Sequence, residues 1–142
     1  MSDPIDMIED VLDFHRAIDA LHHIGSTPSV PRDQVRLLKW CLVREEFEEL
    51  EQAVSSDDVV GVADACADLI YVVIGLALAY GIDLRPVWRD VQKSNLAKSN
   101  GPQRADGKRM KPAGWVPPDV AGILARQTSL HTNLGEIREP TP

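Results

Sequence analysis

The chain has 142 residues, 44% of them hydrophobic, and a formal net charge of −7. That describes one domain of ordinary size with material for a core, small enough that assembly with further copies would add stability. The acidic balance excludes a general grip on nucleic acid, which needs a basic stripe against phosphates. It leaves room for a small phosphorylated ligand, because metal ions invert the local charge.

The opening Met1-Ser2-Asp3-Pro4 lacks the basic region of a secretion signal. The apolar run Leu69–Tyr80 is shorter than the ~20 residues that span a bilayer. The expectation is a soluble, cytoplasmic protein without membrane association. Cys41 and Cys66 sit in apolar helical patterns and are expected as buried core thiols. A disulfide is the alternative that spacing leaves open.

A first helix is predicted from Asp3-Pro4, a cap residue followed by proline, with Ile5, Ile8, Val11, Leu12, His15, Ile18 and Leu21 on its apolar face. Gly25-Ser26-Thr27-Pro28 ends it. A second helix is predicted from Pro31 to about Val54. The turn Ser55-Ser56-Asp57-Asp58 can cap a third helix, which runs to Tyr80 and stops at Gly81. Asp83 caps a fourth helix over about Leu84–Lys98, with Pro86 in its first turn. Residues 99–118, rich in Gly, Pro, Lys and Arg, read as a loop, and a short helix is expected around Asp119–Gln127. The fold class is therefore all-α, a bundle of four to five helices over residues 1–127, with 128–142 as a flexible tail.

The second helix carries Arg44-Glu45-Glu46-Phe47-Glu48-Glu49. At about 100° per residue, Glu46 falls between Leu42 and Leu50, and Glu49 falls close to Leu42 and Ala53. Glu45 lies at the margin of this stripe, whereas Glu48 and Glu51 point away. Unpaired carboxylates on a core-facing stripe cost several kcal/mol, so something positive must meet them. On the third helix Asp64 and Asp68, one turn apart, share a side with Gly61, Ala65, Val72, Gly75 and Ala79. Ala63, Ile70, Val73 and Ile74 cover the opposite side, so most of this helix is expected to be buried. Tyr71 and Tyr80 are assigned to the core.

Packed antiparallel, the two helices bring Glu45, Glu46, Glu49, Asp64 and Asp68 together. Hard divalent cations take such oxygen ligands, and four or five acids suggest two or more Mg²⁺ ions completed by substrate phosphates. The competing explanation is a salt-bridge network with Lys39, Arg44 or Arg89. A di-iron site is disfavoured, because no Glu-x-x-His pair is present.

These residues resemble the all-α nucleoside triphosphate pyrophosphohydrolases, which include MazG-like proteins, dimeric dUTPases and phosphoribosyl-ATP pyrophosphohydrolases. Their pattern is Glu-Glu-x-x-Glu on one helix and Glu-x-x-Asp on the next. Glu45, Glu46 and Glu49 match the first half and Asp68 the last position. Ala65 departs from the pattern, and Asp64 one residue earlier takes its place. The resemblance covers roughly residues 5–120. It takes in Phe14-His15, Lys93-x-Asn95-x-x-Lys98, Asp106-Gly107-Lys108 with Lys111-Pro112, and Pro117-Pro118-Asp119.

The resemblance implies Mg²⁺ (or Mn²⁺) held by these acids and a glutamate as general base; Glu45, at the margin of the stripe, is assigned that role, with Glu46, Glu49, Asp64 and Asp68 as ligands, and Glu45 and Glu49 could exchange roles. It also implies hydrolysis of a ribo- or deoxynucleoside triphosphate (dGTP and dUTP among the candidates) to the monophosphate and pyrophosphate. A homodimer or homotetramer would complete the bundle. Lys93, Asn95, Lys98, Lys108 and Lys111 are the candidate substrate-binding residues, Lys acting as a point charge on phosphate. Arg104 and Arg109 lie in the same basic stretch, which could equally be solvated. His15 is read as a core histidine, His22 and His23 as surface groups. Trp115 is the candidate among the tryptophans for stacking on a base. The rival classes are a non-catalytic nucleotide-binding or scaffold module, and an enzyme acting on phosphoribosyl-ATP.

Overall fold

The computed structural model describes residues 4–130, so residues 131–142 of the expected tail lie outside the described residues. The described residues fold into five α-helices, two 3₁₀ turns and no strand. They form two compact units: residues 4–82 with 128–130, and Asp83–Gln127.

In the first unit, α1 covers Met7–Ala17. It starts later than the Asp3-Pro4 signal suggested, because Asp6 is the residue that caps it: its Oδ1 accepts from the N–H groups of Ile8 and Glu9 at 3.2 and 3.1 Å. Two free amide donors are thereby satisfied, which sets the start of the helix at Met7. The helix also stops short of Leu21. Asp19 adopts φ +56°, a conformation open to Asp but incompatible with continuing a helix. A 3₁₀ turn at Leu21–His23 follows.

Helix α2 (Asp33–Ser55) and helix α3 (Val59–Ala79) form a hairpin, each packing mainly on the other. The turn between them uses Asp57 at φ +53° and Asp58 as cap, whose Oδ1 accepts from Gly61 N–H at 3.0 Å. The segment 25–29 crosses the end of α3 and satisfies its last carbonyls: Gly25 N–H donates to Leu78 O at 2.9 Å and Ser29 N–H to Tyr80 O at 3.0 Å. Gly81, at φ +69°, closes α3, and a Cβ there would stand 2.1 Å from Thr27 O. Leu130 N–H donates to Ser26 O at 2.7 Å, and its side chain is fully buried with Val11, Leu12 and Leu78.

This core is narrower than the sequence led us to expect. Helix α3 is not mostly buried: Ala63, Ile70, Tyr71 and Val73 are exposed. Cys41 and Cys66 are free and exposed rather than core thiols. Periodicity identifies an apolar face without saying which surface covers it. With 21 residues and a mean hydropathy of 2.0 in its most apolar window, α3 also has the length and composition of a membrane span, which the shorter run Leu69–Tyr80 did not indicate.

In the second unit, α4 covers Leu84–Ala97 and runs into a 3₁₀ turn at Lys98–Asn100. Asp83 caps it through Arg85 N–H at 3.0 Å. The following loop is ordered by its own hydrogen bonds. Met110 N–H donates to Pro102 O at 2.7 Å, Arg104 N–H to Lys108 O at 2.7 Å, and Gly107 turns the chain at φ +90°. Helix α5 (Val120–Arg126) is capped by Asp119, and Asp119 N–H donates to Asp90 Oδ2 at 2.7 Å, tying α5 to α4.

Candidate functional site

The five acids come from facing parts of one hairpin. Glu45, Glu46 and Glu49 lie on α2, Asp64 and Asp68 on α3. Glu46 is the half-buried member, and its Oε2 is buried with no hydrogen-bond partner. Its carboxyl is pushed above the ordinary carboxylate range, first by desolvation, then by the charges of Glu49, Asp68, Glu45 and Asp64. All four predicted companions therefore act electrostatically on the one carboxyl of the set that has a buried oxygen.

The competing salt-bridge network does not form among the described residues. Arg44 reaches Glu48 at 3.6 Å, on the outward face. Lys39 turns inward and meets His15 Nε2 at 2.7 Å. None of the five acids has an ion pair there. Nor do any three His, Cys, Asp or Glu side chains among the described residues stand close enough to grip one cation. The expected ligand set is thus gathered within mutual electrostatic reach but not drawn to ligating distance. The donor chemistry, hard oxygens around an unpartnered buried oxygen, fits a hard divalent cation.

Toward the turn of the hairpin a cleft of about 370 Å³ opens, lined by Glu49 and Asp64 together with Gln52, Ala53, Ser56 and Asp58. Gln52 and Ser56 are not among the predicted site residues, Ser56 being assigned to the turn before α3. Their signal was available: they follow Glu49 at three and seven positions, on one helical face.

His15 is a satisfied core group. Its Nδ1 donates to Val11 O at 2.8 Å, which leaves Nε2 to accept from Lys39. Burial, followed in smaller part by the Lys39 charge, lowers the His15 pKa; burial also lowers that of Lys39. Tyr71, expected in the core, is instead an exposed side chain whose ring meets Phe14 edge-on at 5.9 Å.

In the second unit the structure brings together three of the five candidate substrate-binding residues. Lys98 Nζ donates to Asn95 Oδ1 at 2.9 Å, and Lys98 and Lys111 both stand against the Trp115 ring, 5.2 and 4.6 Å from its centroid. Lys93 and Lys108 are exposed and join neither contact. Trp115, considered for base stacking, has its indole N–H tied to Ser94 O at 2.8 Å and two ammonium groups on its ring.

Residues 11–95 match the family model described as phosphoribosyl-ATP pyrophosphohydrolase. That span contains all five acids, His15, Lys39, Lys93 and Asn95, and stops before Lys98 and the loop. Among curated proteins, the uncharacterized protein L479 of Acanthamoeba polyphaga mimivirus is 40% identical over 47 residues, 33% of this chain and 19% of that protein. The chain thus spans about a fifth of the length of the curated relative it matches. A match that runs from α1 into α4 and includes both acidic half-motifs establishes the relationship: the chain belongs to the phosphoribosyl-ATP pyrophosphohydrolase family, within the MazG-like all-α nucleoside triphosphate pyrophosphohydrolase superfamily.

Proposed function

We propose that the protein is a metal-dependent pyrophosphohydrolase, cleaving a nucleoside triphosphate into its monophosphate and pyrophosphate. The single observation that carries this reading is the stranded Oε2 of Glu46, facing four further acids without a basic partner among the described residues. A purely structural carboxyl in that position would be costly, and a cation removes the cost.

Glu46, Glu49, Asp64 and Asp68 are the residues that would hold Mg²⁺ or Mn²⁺, and the number of acids suits two or more ions. When bound there, the metal supplies charge neutralisation for the phosphates and acidifies coordinated water. Glu45, exposed beside Glu46 on α2, is the candidate base that takes a proton from the attacking water, with Glu49 as its substitute. Water oxygen bonds to phosphorus, the anhydride bond breaks, and pyrophosphate departs with its electron pair. Lys93, Asn95, Lys98, Lys108 and Lys111 are the candidates for holding the phosphates. The family name favours phosphoribosyl-ATP as a second substrate, since it carries the same anhydride.

The exposed apolar side chains of Phe14, Ile18, Ile70, Tyr71 and Val73 support a homodimer or homotetramer in which a second copy covers α1 and α3. Asp64 and Asp68 in the middle of α3 favour a protein neighbour over lipid, and with it a cytoplasmic location.

The test is pyrophosphate release from a panel of ribo- and deoxynucleoside triphosphates and phosphoribosyl-ATP, with Mg²⁺, with Mn²⁺ and with chelator, using Glu46→Ala as control. Metal-dependent release that Glu46→Ala abolishes is expected. No release from any substrate with either metal would leave the non-catalytic binding module in its place.

A further inference from the structure

The second unit has far more positive charge than its own acids can balance. Residues 83–127 contain nine Lys and Arg against four Asp and Glu. Those four acids are already engaged. Asp83 pairs with Arg85 and Asp106 with Arg104, Asp90 accepts from Asp119 N–H, and Asp119 accepts from Gly122 N–H and reaches Arg126. No lysine of this unit forms an ion pair with a carboxylate among the described residues.

Two of these lysines are nevertheless held in place. Lys98, at the end of α4, and Lys111, from the loop, approach one indole ring, the distance from each Nζ to the centroid being 5.2 and 4.6 Å. The ring is itself fixed, because its N–H donates to the carbonyl of the buried Ser94. The loop that carries Lys111 is held in turn: Arg109 donates to Gly101 O at 3.0 Å, and a Cβ on Gly101 would stand 1.8 Å from Met110 O. A cation at an aromatic face gains about 0.5–1 kcal/mol at exposed sites, which positions an ammonium group without neutralising it. Each ammonium has three donors, and only one of Lys98's is committed, to Asn95 Oδ1. Two uncompensated cations with free donors, pre-positioned on a clamped platform, form a receptor for an oligoanion. Phosphate oxygens are the matching acceptors.

We propose that Lys98, Lys111 and Trp115 form a phosphate-binding site that works without a metal ion, the Trp115 ring serving as the scaffold for the two ammonium groups rather than as a stacking surface for a base. This deepens the proposed function by naming a phosphate-binding group within the second unit itself, and it rests on that reading only for the identity of the natural ligand. Lys111 and Trp115 lie beyond the residues matched by the family model.

The probe is inorganic pyrophosphate, titrated in excess chelator into the full chain carrying Trp40→Phe and Trp88→Phe. Both replaced side chains are exposed, so Trp115 alone reports. A saturable change in its fluorescence is expected, weakening as salt is raised. Lys98→Gln with Lys111→Gln should raise the dissociation constant about tenfold or more, while Lys→Arg at both positions should largely preserve it. Calorimetry on the unmodified protein checks that the signal is binding. No saturable signal and no heat, an affinity unchanged by the double Gln variant, or binding seen only after Mg²⁺ is added would each overturn the proposal. Glu46→Gln separates the two readings: it should lose hydrolysis and keep metal-free pyrophosphate binding. Hydrolysis by the parent without metal-free binding defeats the phosphate site alone. Binding without hydrolysis of any substrate defeats the enzymatic reading alone.

Discussion

Residues 4–82 carry fifteen Asp and Glu against five Lys and Arg, whereas residues 83–127 carry four against nine. Each stretch places its surplus differently. In the first, five of the fifteen acids are set against one another on the α2–α3 hairpin, where Glu46 has an unpartnered buried oxygen. In the second, excess base is spread along α4 and the loop, and only Lys98 and Lys111 are gathered, around Trp115. A burial penalty acts on Glu46, while Glu45, Glu49, Asp64 and Asp68 around it are exposed. The basic region is solvated, and its order comes from backbone hydrogen bonds and one indole.

The largest effect should come from Glu46→Gln, which breaks the acidic side of the comparison. Activity is expected to fall by about a hundredfold or more, as when a group stabilising the transition state is lost. Stability should move the other way. Because the folded-state pKa of Glu46 is raised, the neutral carboxyl binds its proton more tightly in the folded chain. Stability is therefore lost as pH rises from about 4.5 through the folded value, and the Gln variant should lack this loss. Denaturant unfolding across that window, in chelator, checks the sign. Adding Mg²⁺ should raise the melting temperature of the parent protein and leave that of Glu46→Gln much less affected.

Next in size is the uncovered face of α3. Ile70→Asp should shift the assembly toward monomer, with about a tenfold or greater rise in the dissociation constant, read by sedimentation. A parent protein that is monomeric at micromolar concentrations would remove the second copy from the proposal. A smaller effect is expected at the buried pair. Lys39→Met leaves His15 Nε2 without its donor, at a cost of about 1–3 kcal/mol. The His15 pKa is depressed, so as pH falls below about 6.5 the unfolded chain takes up the proton first and stability declines. His15→Leu should flatten that decline in urea titrations, apart from the contribution of the carboxylates.

Much of this was legible in the sequence, for a physical reason that differs by element. The acids of α2 and α3 could be placed because a 3.6-residue period converts spacing into direction, and Glu46 sits where direction and burial coincide. The boundaries of α3 and the start of α4 followed from local chemistry: Asp58, Asp83 and Gly81 act on backbone groups within a turn of themselves. The start of α1 did not follow in this way: the Asp3-Pro4 signal set it early, and Asp6 is the side chain that caps the helix. The exposure of Cys41, Cys66 and Tyr71 was not readable, since an apolar face carries no mark of whether this chain or another covers it. The meeting of Lys111 with Lys98 on Trp115 was hidden for another reason: it depends on how a loop folds back on α4, through contacts with no fixed spacing.

The smallest expected effect is the sharpest test of the selectivity claimed for the hairpin. Glu48 is flanked by Phe47 and Glu49 and chemically identical to Glu46, but it faces solvent and pairs with Arg44 at 3.6 Å, both side chains being more than half exposed. Exposed pairs of this kind contribute about 0–1 kcal/mol, so Glu48→Gln should change the melting temperature little. It should also leave metal-dependent activity within about twofold of the parent, since a solvated charge outside the cluster is screened. The comparison with Glu46→Gln then isolates direction from charge, for both variants remove one carboxylate from the same helix. If the two lowered activity equally, the helix would be acting through its summed negative field, and the assignment of individual ligands on α2 would have to be given up.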